Sequence, residues 1–313
     1  MKYYINSTAD YHQHDLNSLG WELTVCNSLE PVNSPCRKIL TLPLSFGEHL
    51  YNFLKEIIPF NNLRSILEIG GGMGCLMRDL LTFNPQMQAK MIDISPYLLD
   101  KQKETLKSFN ADFELTDILS ADPASLSGFD LVIMNENLGD LPTLVAEQAK
   151  ENDSEYDIVD YLVKLEHFKN KYDLSLGLNE NEHINIGAIE ILEKLCLAGI
   201  KYIYLSEHSC EAVVPEHMKQ YISFRSSGSP EMILLKGHKE FTIKFSYLQK
   251  IAEMLNYPAR RGPFTDFLHL NFNDKVKTAL RLTSPYNDEQ EIIRQFVYDL
   301  YKYEYLILIK GDE

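Results

Sequence analysis

The stretch Ile66-Leu67-Glu68-Ile69-Gly70-Gly71-Gly72-Met73-Gly74-Cys75-Leu76 runs from an apolar segment ending in an acid into a turn built mostly of glycine. It reads as a buried strand whose tip carries no side chains, so that a nucleotide-like ligand can lie against bare backbone. A dinucleotide fold asks for G-x-G-x-x-G, and counted from Gly70 the last glycine of that motif falls on Cys75. The dinucleotide register therefore fails.

What fits is E-x-G-x-G-x-G on Glu68, Gly70, Gly72 and Gly74, which resembles the cofactor loop of class I S-adenosylmethionine (SAM) methyltransferases. A cation with a bulky adenosine must approach the strand end closely, and its amino-acid moiety needs backbone donors and acceptors. Glu68, at the carboxyl end of the strand, is placed to polarise the loop or to accept a hydrogen bond from the ligand's ammonium. The implied cofactor is SAM.

Outward from this stretch the chain alternates between strands and helices. Phe46, Leu50, Leu54 and Ile57 recur at helical spacing ahead of the glycine strand, and Leu76, Leu80 and Leu81 continue as a helix behind it. That second helix would turn its positive end toward the ligand. Further strands are expected at Ala89 to Ile94, Phe113 to Leu115, Phe129 to Met134, Lys201 to Leu205, Thr265 to Leu270 and Tyr303 to Ile309. Helices are expected at Tyr97 to Phe109, Ala188 to Leu197, around Phe245 to Leu255, and at Glu289 to Tyr301. Strands spaced by helices of this length form parallel β-α-β units. The expected fold is thus α/β: a Rossmann-like class I methyltransferase domain over residues 46–313, with a seven-stranded, mostly parallel sheet and helices on both faces. An irregular N-terminal arm or lid over residues 1–45 precedes it. The polar stretch at about 147–187, with Ile158, Tyr161, Leu162, Leu165 and Phe168 in a helical stripe, is expected to be a helical insertion.

At 313 residues and 45% hydrophobic content the chain can bury a full core. The formal charge of −15 opposes the field of a phosphate backbone, so nucleic acid is excluded as the default partner. The acidic surface suits a basic partner, or serves solubility alone. Five scattered cysteines, Cys26, Cys36, Cys75, Cys196 and Cys210, argue for a reducing compartment. The polar start of the chain, with Asp10, His12, His14 and Asp15, does not read as a secretory segment, and no apolar run reaches membrane-spanning length. The expected location is the cytoplasm, without a membrane partner. The oligomeric state stays open, a homodimer included.

The residues expected to carry chemistry follow the strand ends, where ligands of such sheets bind. Asp93 ends the second strand, and its two carboxylate oxygens suit the two ribose hydroxyls. Ile94 would pack on the adenine; Asp117, after the third strand, would accept from its amino group, with Ile118 beside it. Asn135-Glu136-Asn137-Leu138-Gly139-Asp140-Leu141-Pro142 follows the fourth strand, where a methyl acceptor would stand. Polar residues directly after a buried strand are costly unless used. Asn135, Glu136 and Asp140 form the expected catalytic set, with Glu136 orienting the acceptor. The Asp/Asn-Pro-Pro-aromatic tetrad of nucleic-acid amino methyltransferases is absent. Glu207-His208-Ser209-Cys210 could add an acid, a base or a substrate contact, while His208, Cys210 and His217 lack metal-ligand spacing, so no metal is expected.

Several of these motifs together resemble one family. Ser45-Phe46-Gly47, the run Glu68 to Leu81, Ile94-Ser95-Pro96 through Lys101-Gln102-Lys103-Glu104-Thr105-Leu106, and Asn135-Glu136 through Leu141-Pro142 are similar in order and spacing to the MidA-like methyltransferases, the family of the mitochondrial complex I assembly factor. The resemblance spans roughly residues 45 to 145. It implies a SAM-dependent protein arginine methyltransferase, with the glycine loop at Glu68, Gly70, Gly72 and Gly74, the ribose acid at Asp93 and the catalytic Asn-Glu at Asn135 and Glu136. The acceptor loop departs from the family pattern: Asn137 replaces an aromatic, and Gly139 stands where the family has Asp, with Asp140 one place later. The expected activity is methyl transfer to nitrogen, a protein arginine included, or to oxygen. The alternatives are a small-molecule methyltransferase lidded by the insertion and a SAM-binding assembly factor without turnover.

Overall fold

The computed structural model describes residues 2–17, 24–147, 155–174, 183–281 and 287–311. In chain order the strands are β1 (Lys2–Asn6), β2 (Ser65–Ile69), β3 (Gln88–Asp93), β4 (Ala111–Leu115), β5 (Leu131–Asn135), β6 (Thr143–Glu147), β7 (Tyr202–His208), β8 (Met232–Leu234), β9 (Lys239–Phe241), β10 (Ala259–Pro263) and β11 (Tyr303–Ile309). The helices are α1 (Val25–Ser28), α2 (Phe46–Leu54), α3 (Cys75–Phe83), α4 (Pro96–Thr105), α5 (Pro123–Leu126), α6 (Glu155–Tyr172), α7 (Ile186–Leu197), α8 (Phe245–Met254), α9 (Asp274–Arg281) and α10 (Asp288–Lys302).

Seven strands form the central sheet in the order β10-β11-β7-β5-β2-β3-β4. β2, β3, β4, β5 and β7 pair in parallel, and β11 runs antiparallel between β7 and β10. The inner strands are mostly apolar, and β5 is so from Leu131 to Met134, because both faces of the sheet are covered. Side chains alternate across the sheet: Ile66, Leu131 and Ile133 join α2, α3 and α10 in one core, while Leu67, Val132 and Met134 join α6, α7 and α8 in the other. Helices therefore lie on both faces.

Successive strands are added on one side of β2 as β3 and β4 and on the other as β5 and β7, which places a topological switch point at the carboxyl ends of β2 and β5. The glycine turn follows β2 and the Asn135–Asp140 segment follows β5, so the two motifs meet at that point.

One expected strand is corrected. The last strand before α10 is Ala259–Pro263, whereas the expected Thr265 to Leu270 strand begins inside the 3-10 turn Phe264–Asp266. Ala-Arg-Arg-Gly-Pro has no apolar period because β10 is an edge strand, and Pro263 is tolerated there. Phe264, Phe267 and Leu268 are apolar because they pack into the core beside Phe46. β7 extends to His208, beyond the expected Leu205, and carries Glu207 and His208 into the sheet.

The N-terminal arm is more regular than its sequence suggests. β1 pairs antiparallel with β6, tying the start of the chain to the segment after the acceptor loop. Arg78 on α3 makes a two-pronged contact to Glu30 (2.8 and 2.9 Å), which fixes the far end of the arm. α6 occupies part of the expected insertion; residues 148–154 and 175–182 lie outside the described residues. Among the described residues, no helix is long and apolar enough to cross a membrane.

Candidate cofactor and acceptor site

A cleft of about 510 Å³ opens over the carboxyl ends of β2, β3 and β5. One half of it is built on the glycine turn. Gly70, Gly72 and Gly74 take φ of 65°, 52° and 79°, the left-handed region that glycine enters without a Cβ penalty. A Cβ on Gly70 would collide with the Asn137 amide, whereas one on Gly72 would project into empty space. Gly72 is thus the point where the turn presents bare backbone to the cleft. Gly74 does a different job: it is the N-cap of α3, its absent Cβ would lie 3.3 Å from Gln102 Cα, and it does not line the cleft.

Glu68 is 2% exposed and its Oε2 has no hydrogen-bond partner. Burial, with the Asp93 carboxylate nearby, pushes its carboxyl up to about 8. A buried carboxylate left short of donors at a ligand site is costly unless a ligand donor meets it.

Asp93 is also buried, and burial raises its carboxyl above the ordinary range against the hydrogen bonds it accepts. One oxygen accepts from Ser95 N–H (2.9 Å) and the other from Gln102 Nε2 (2.7 Å). Gln102 Nε2 also donates to the Gly72 carbonyl (3.0 Å). This fully buried amide therefore locks the acid of β3 to the glycine turn of β2. Each Asp93 oxygen keeps a further lone pair for a ligand. Ile94, Asp117 and Ile118 line the same cleft; the Asp117 side chain also accepts from Leu119 N–H (2.9 Å).

The other half is built on the segment after β5. Asn135 accepts from Ser206 Oγ (2.8 Å) and donates to Glu136 Oε1 (3.0 Å). Glu136 has φ of 57°, a strained conformation for a residue with a side chain. Its carboxylate accepts from Val25 N–H (2.7 Å) and Cys26 N–H (2.9 Å), the first amides of α1. Burial raises its carboxyl to about 7, although those donors favour the ionised form. Asn137 turns back and donates to the carbonyls of Ile69 and Gly70. Asp140 Oδ1 accepts from Thr8 Oγ1 (2.9 Å) and lies 3.0 Å from His12 Nε2. Burial alone would raise its carboxyl; the hydrogen bond and charge of His12 hold it below the ordinary range.

His208 faces the cleft between Glu207 (3.5 Å) and Asp299 (3.6 Å), with Tyr303 packed on its ring. Burial disfavours a charged ring, but the two acids overcome it and raise His208 to about 9.

Comparisons with known proteins agree with this geometry. A family model described as a methyltransferase domain matches residues 67–152, the segment that holds both halves of the cleft. A crystal structure of an uncharacterized superfamily protein from Burkholderia thailandensis matches with a TM-score of 0.53 at 14% identity, covering 99% of this chain and 88% of that one. A second superfamily member from that organism, bound to S-adenosyl-homocysteine, matches with a TM-score of 0.52 at 14% identity over 90% and 78% of the two chains. The fold is that of the class I SAM-dependent methyltransferases. Over 96 residues, 30% of its length, this chain is 29% identical to a release factor glutamine methyltransferase from Koribacter versatilis. This chain spans 34% of the length of that curated relative.

The cleft gathers every expected site residue except Gly74 along its lining. It also uses residues that the sequence reading passed over. Gln102 sits in a charged helix, yet Leu98, Leu99, Gln102 and Leu106 follow an inward helical spacing that marks it as buried. Thr8 and His12 approach Asp140 only through the pairing of β1 with β6, and no local pattern announces a contact across so much chain.

Proposed function

We propose that this chain binds SAM in the cleft and transfers its methyl group to a nitrogen or oxygen acceptor, as a MidA-like enzyme acting on a protein arginine. One observation carries the reading: at a single strand end, Gly72 presents backbone to open space beside Glu68, whose buried Oε2 lacks a donor. That combination suits a ligand with an ammonium group and no room for a side chain in its path. In this reading Glu68 and the backbone of the glycine turn hold the amino-acid moiety, Asp93 takes the ribose hydroxyls, and Ile94, Asp117 and Ile118 surround the adenine.

SAM supplies a methyl group already attached to a cationic sulfur, so the chain's task is to place an acceptor lone pair in line and exclude water. Asn135 holds Glu136 by a hydrogen bond, and Glu136 orients an N–H of the acceptor once the amides of α1 release it. Glu136, which lines the cleft, would offer its carboxylate to a cationic acceptor such as a guanidinium.

Methyl-labelled SAM incubated with the protein and arginine-containing peptides tests the reading. Label on a guanidinium nitrogen, lost in Glu136→Gln, supports it; label only on small molecules from a metabolite extract moves the acceptor to that class. A second reading, a SAM-binding assembly protein without turnover, is favoured by one observation: both Glu136 oxygens are already engaged by the arm. It predicts SAM binding with no labelled product.

A further inference from the structure

Three segments far apart in sequence converge beside the acceptor loop. His12 lies on the turn Tyr11–Asp15 of the arm, Asp140 follows β5, and His238 sits in the turn between β8 and β9. One nitrogen of each histidine and one Asp140 oxygen lie within 4.8 Å of one another, and His12 Nε2 is 3.0 Å from Asp140 Oδ1. We propose that His12, Asp140 and His238 bind one divalent transition-metal ion of the zinc class, which fastens the arm over the cleft.

The donor set selects the ion. Two imidazoles and one carboxylate suit zinc and its first-row neighbours, whereas magnesium and calcium prefer oxygen throughout. Zinc bonds of about 2.0–2.1 Å in a tetrahedron put ligand atoms about 3.4 Å apart. The His12–Asp140 pair is already that close, and the rest of the gap closes by a small shift of the histidine rings.

The surroundings are built for these positions. Glu240 Oε1 lies 2.9 Å from His238 Nε2, and Thr8 Oγ1 donates to Asp140, the kind of outer hydrogen bonds that orient metal ligands. The Tyr11 ring stacks on His238 at 4.3 Å. Gly237 makes that approach feasible: its φ is 101°, and a Cβ there would lie 2.8 Å from the Tyr11 ring. Asn6 Nδ2 donates to the Lys239 carbonyl (2.8 Å) and fastens the arm to the same hairpin. His12, Asp140 and Glu240 line the cleft, so the ion would sit at its wall.

This site does not depend on the SAM reading, and it is tested separately. The full chain, stripped with a chelator, is titrated with zinc chloride by calorimetry and with cobalt(II) by visible absorption, and circular dichroism is recorded on every variant as a check of folding. The expected result is one zinc per chain, a cobalt spectrum with the intense bands of a four-coordinate site, and zinc binding weakened by more than about tenfold in His12→Ala and His238→Ala. Glu240→Gln, which alters only the outer hydrogen bond, should weaken it by about tenfold. Absence of stoichiometric zinc binding by the wild type, or equal binding in both histidine variants, would overturn the proposal. Should a histidine variant misfold, the cobalt spectrum of the wild type decides, since weak six-coordinate bands contradict the site.

Discussion

The carboxylate of Glu136, on the loop after β5, accepts the main-chain N–H of Val25 at 2.7 Å and of Cys26 at 2.9 Å. A residue of the acceptor loop thereby caps the first turn of α1 and holds the N-terminal arm across the cleft. Hydrogen bonds to a charged acceptor contribute about 1.5–3 kcal/mol each, so removing the charge should loosen the arm measurably. In Glu136→Gln, amide hydrogen exchange at Val25 and Cys26 is expected to accelerate about tenfold or more while exchange in β2 and β5 stays unchanged. Unchanged protection at Val25 and Cys26 would mean that other contacts hold the arm.

Gly72 and Gly74 separate ligand space from backbone packing. Both have positive φ, so an alanine costs about 1–2 kcal/mol at either position. Only at Gly72 does the added side chain point into open cleft. Gly72→Arg is expected to abolish SAM binding with a small drop in melting temperature. Gly74→Ala should lower melting temperature, because its Cβ meets the Gln102 backbone. Equal loss of stability with equal loss of binding at both positions would refute this division.

Gln102 is predicted to matter for ligand affinity although it does not line the cleft. It bridges the Gly72 carbonyl and Asp93 Oδ2, and its removal leaves a buried carboxylate oxygen short of a donor at about 1–3 kcal/mol. Gln102→Ala should weaken SAM binding about tenfold with the fold retained by circular dichroism. Unaltered affinity would show that Asp93 keeps its position without the amide.

Much of this was legible in the sequence, for physical reasons. The seven-stranded core announces itself because its inner strands are buried on both faces and read as short, mostly apolar runs, of which Leu131-Val132-Ile133-Met134 is the clearest. The glycine turn is legible because positive φ leaves a residue-level signature. β10 is not, since an edge strand with two arginines and a proline has no apolar period. The contacts of Thr8, His12, Val25 and Cys26 with the acceptor loop were hidden because they depend on tertiary pairing of the arm, and the meeting of His12 with His238 for the same reason.

Glu68 should give SAM binding a proton signature. Its carboxyl is raised to about 8, so at pH 7 it is mostly protonated in the free protein, and an ammonium group beside it favours the ionised form. Calorimetry at pH 7 in buffers of different ionisation enthalpy should report release of a proton on SAM binding, absent in Glu68→Gln. Proton uptake, or release that survives in the variant, would contradict the placement of Glu68 at the ligand.

His208 should make stability pH-dependent on the alkaline side. Burial works against its charge, but Asp299 and Glu207 raise it to about 9, above the ordinary histidine value of 6.5. The contribution is therefore fully present below pH 6.5 and lost as pH rises through about 9. Thermal denaturation should show melting temperature falling across that window, with a shallower fall in His208→Gln. An identical slope in the variant would remove His208 from the account.

The central claim is that the glycine turn after β2 and the acid of β3 form a SAM site. Calorimetric titration of the wild type, Gly72→Arg and Asp93→Ala with SAM tests it most directly. One SAM per chain is expected for the wild type, no detectable binding in Gly72→Arg and at least about tenfold weaker binding in Asp93→Ala, which loses its ribose contacts. No binding by the wild type, or equal affinity in all three proteins, would contradict it.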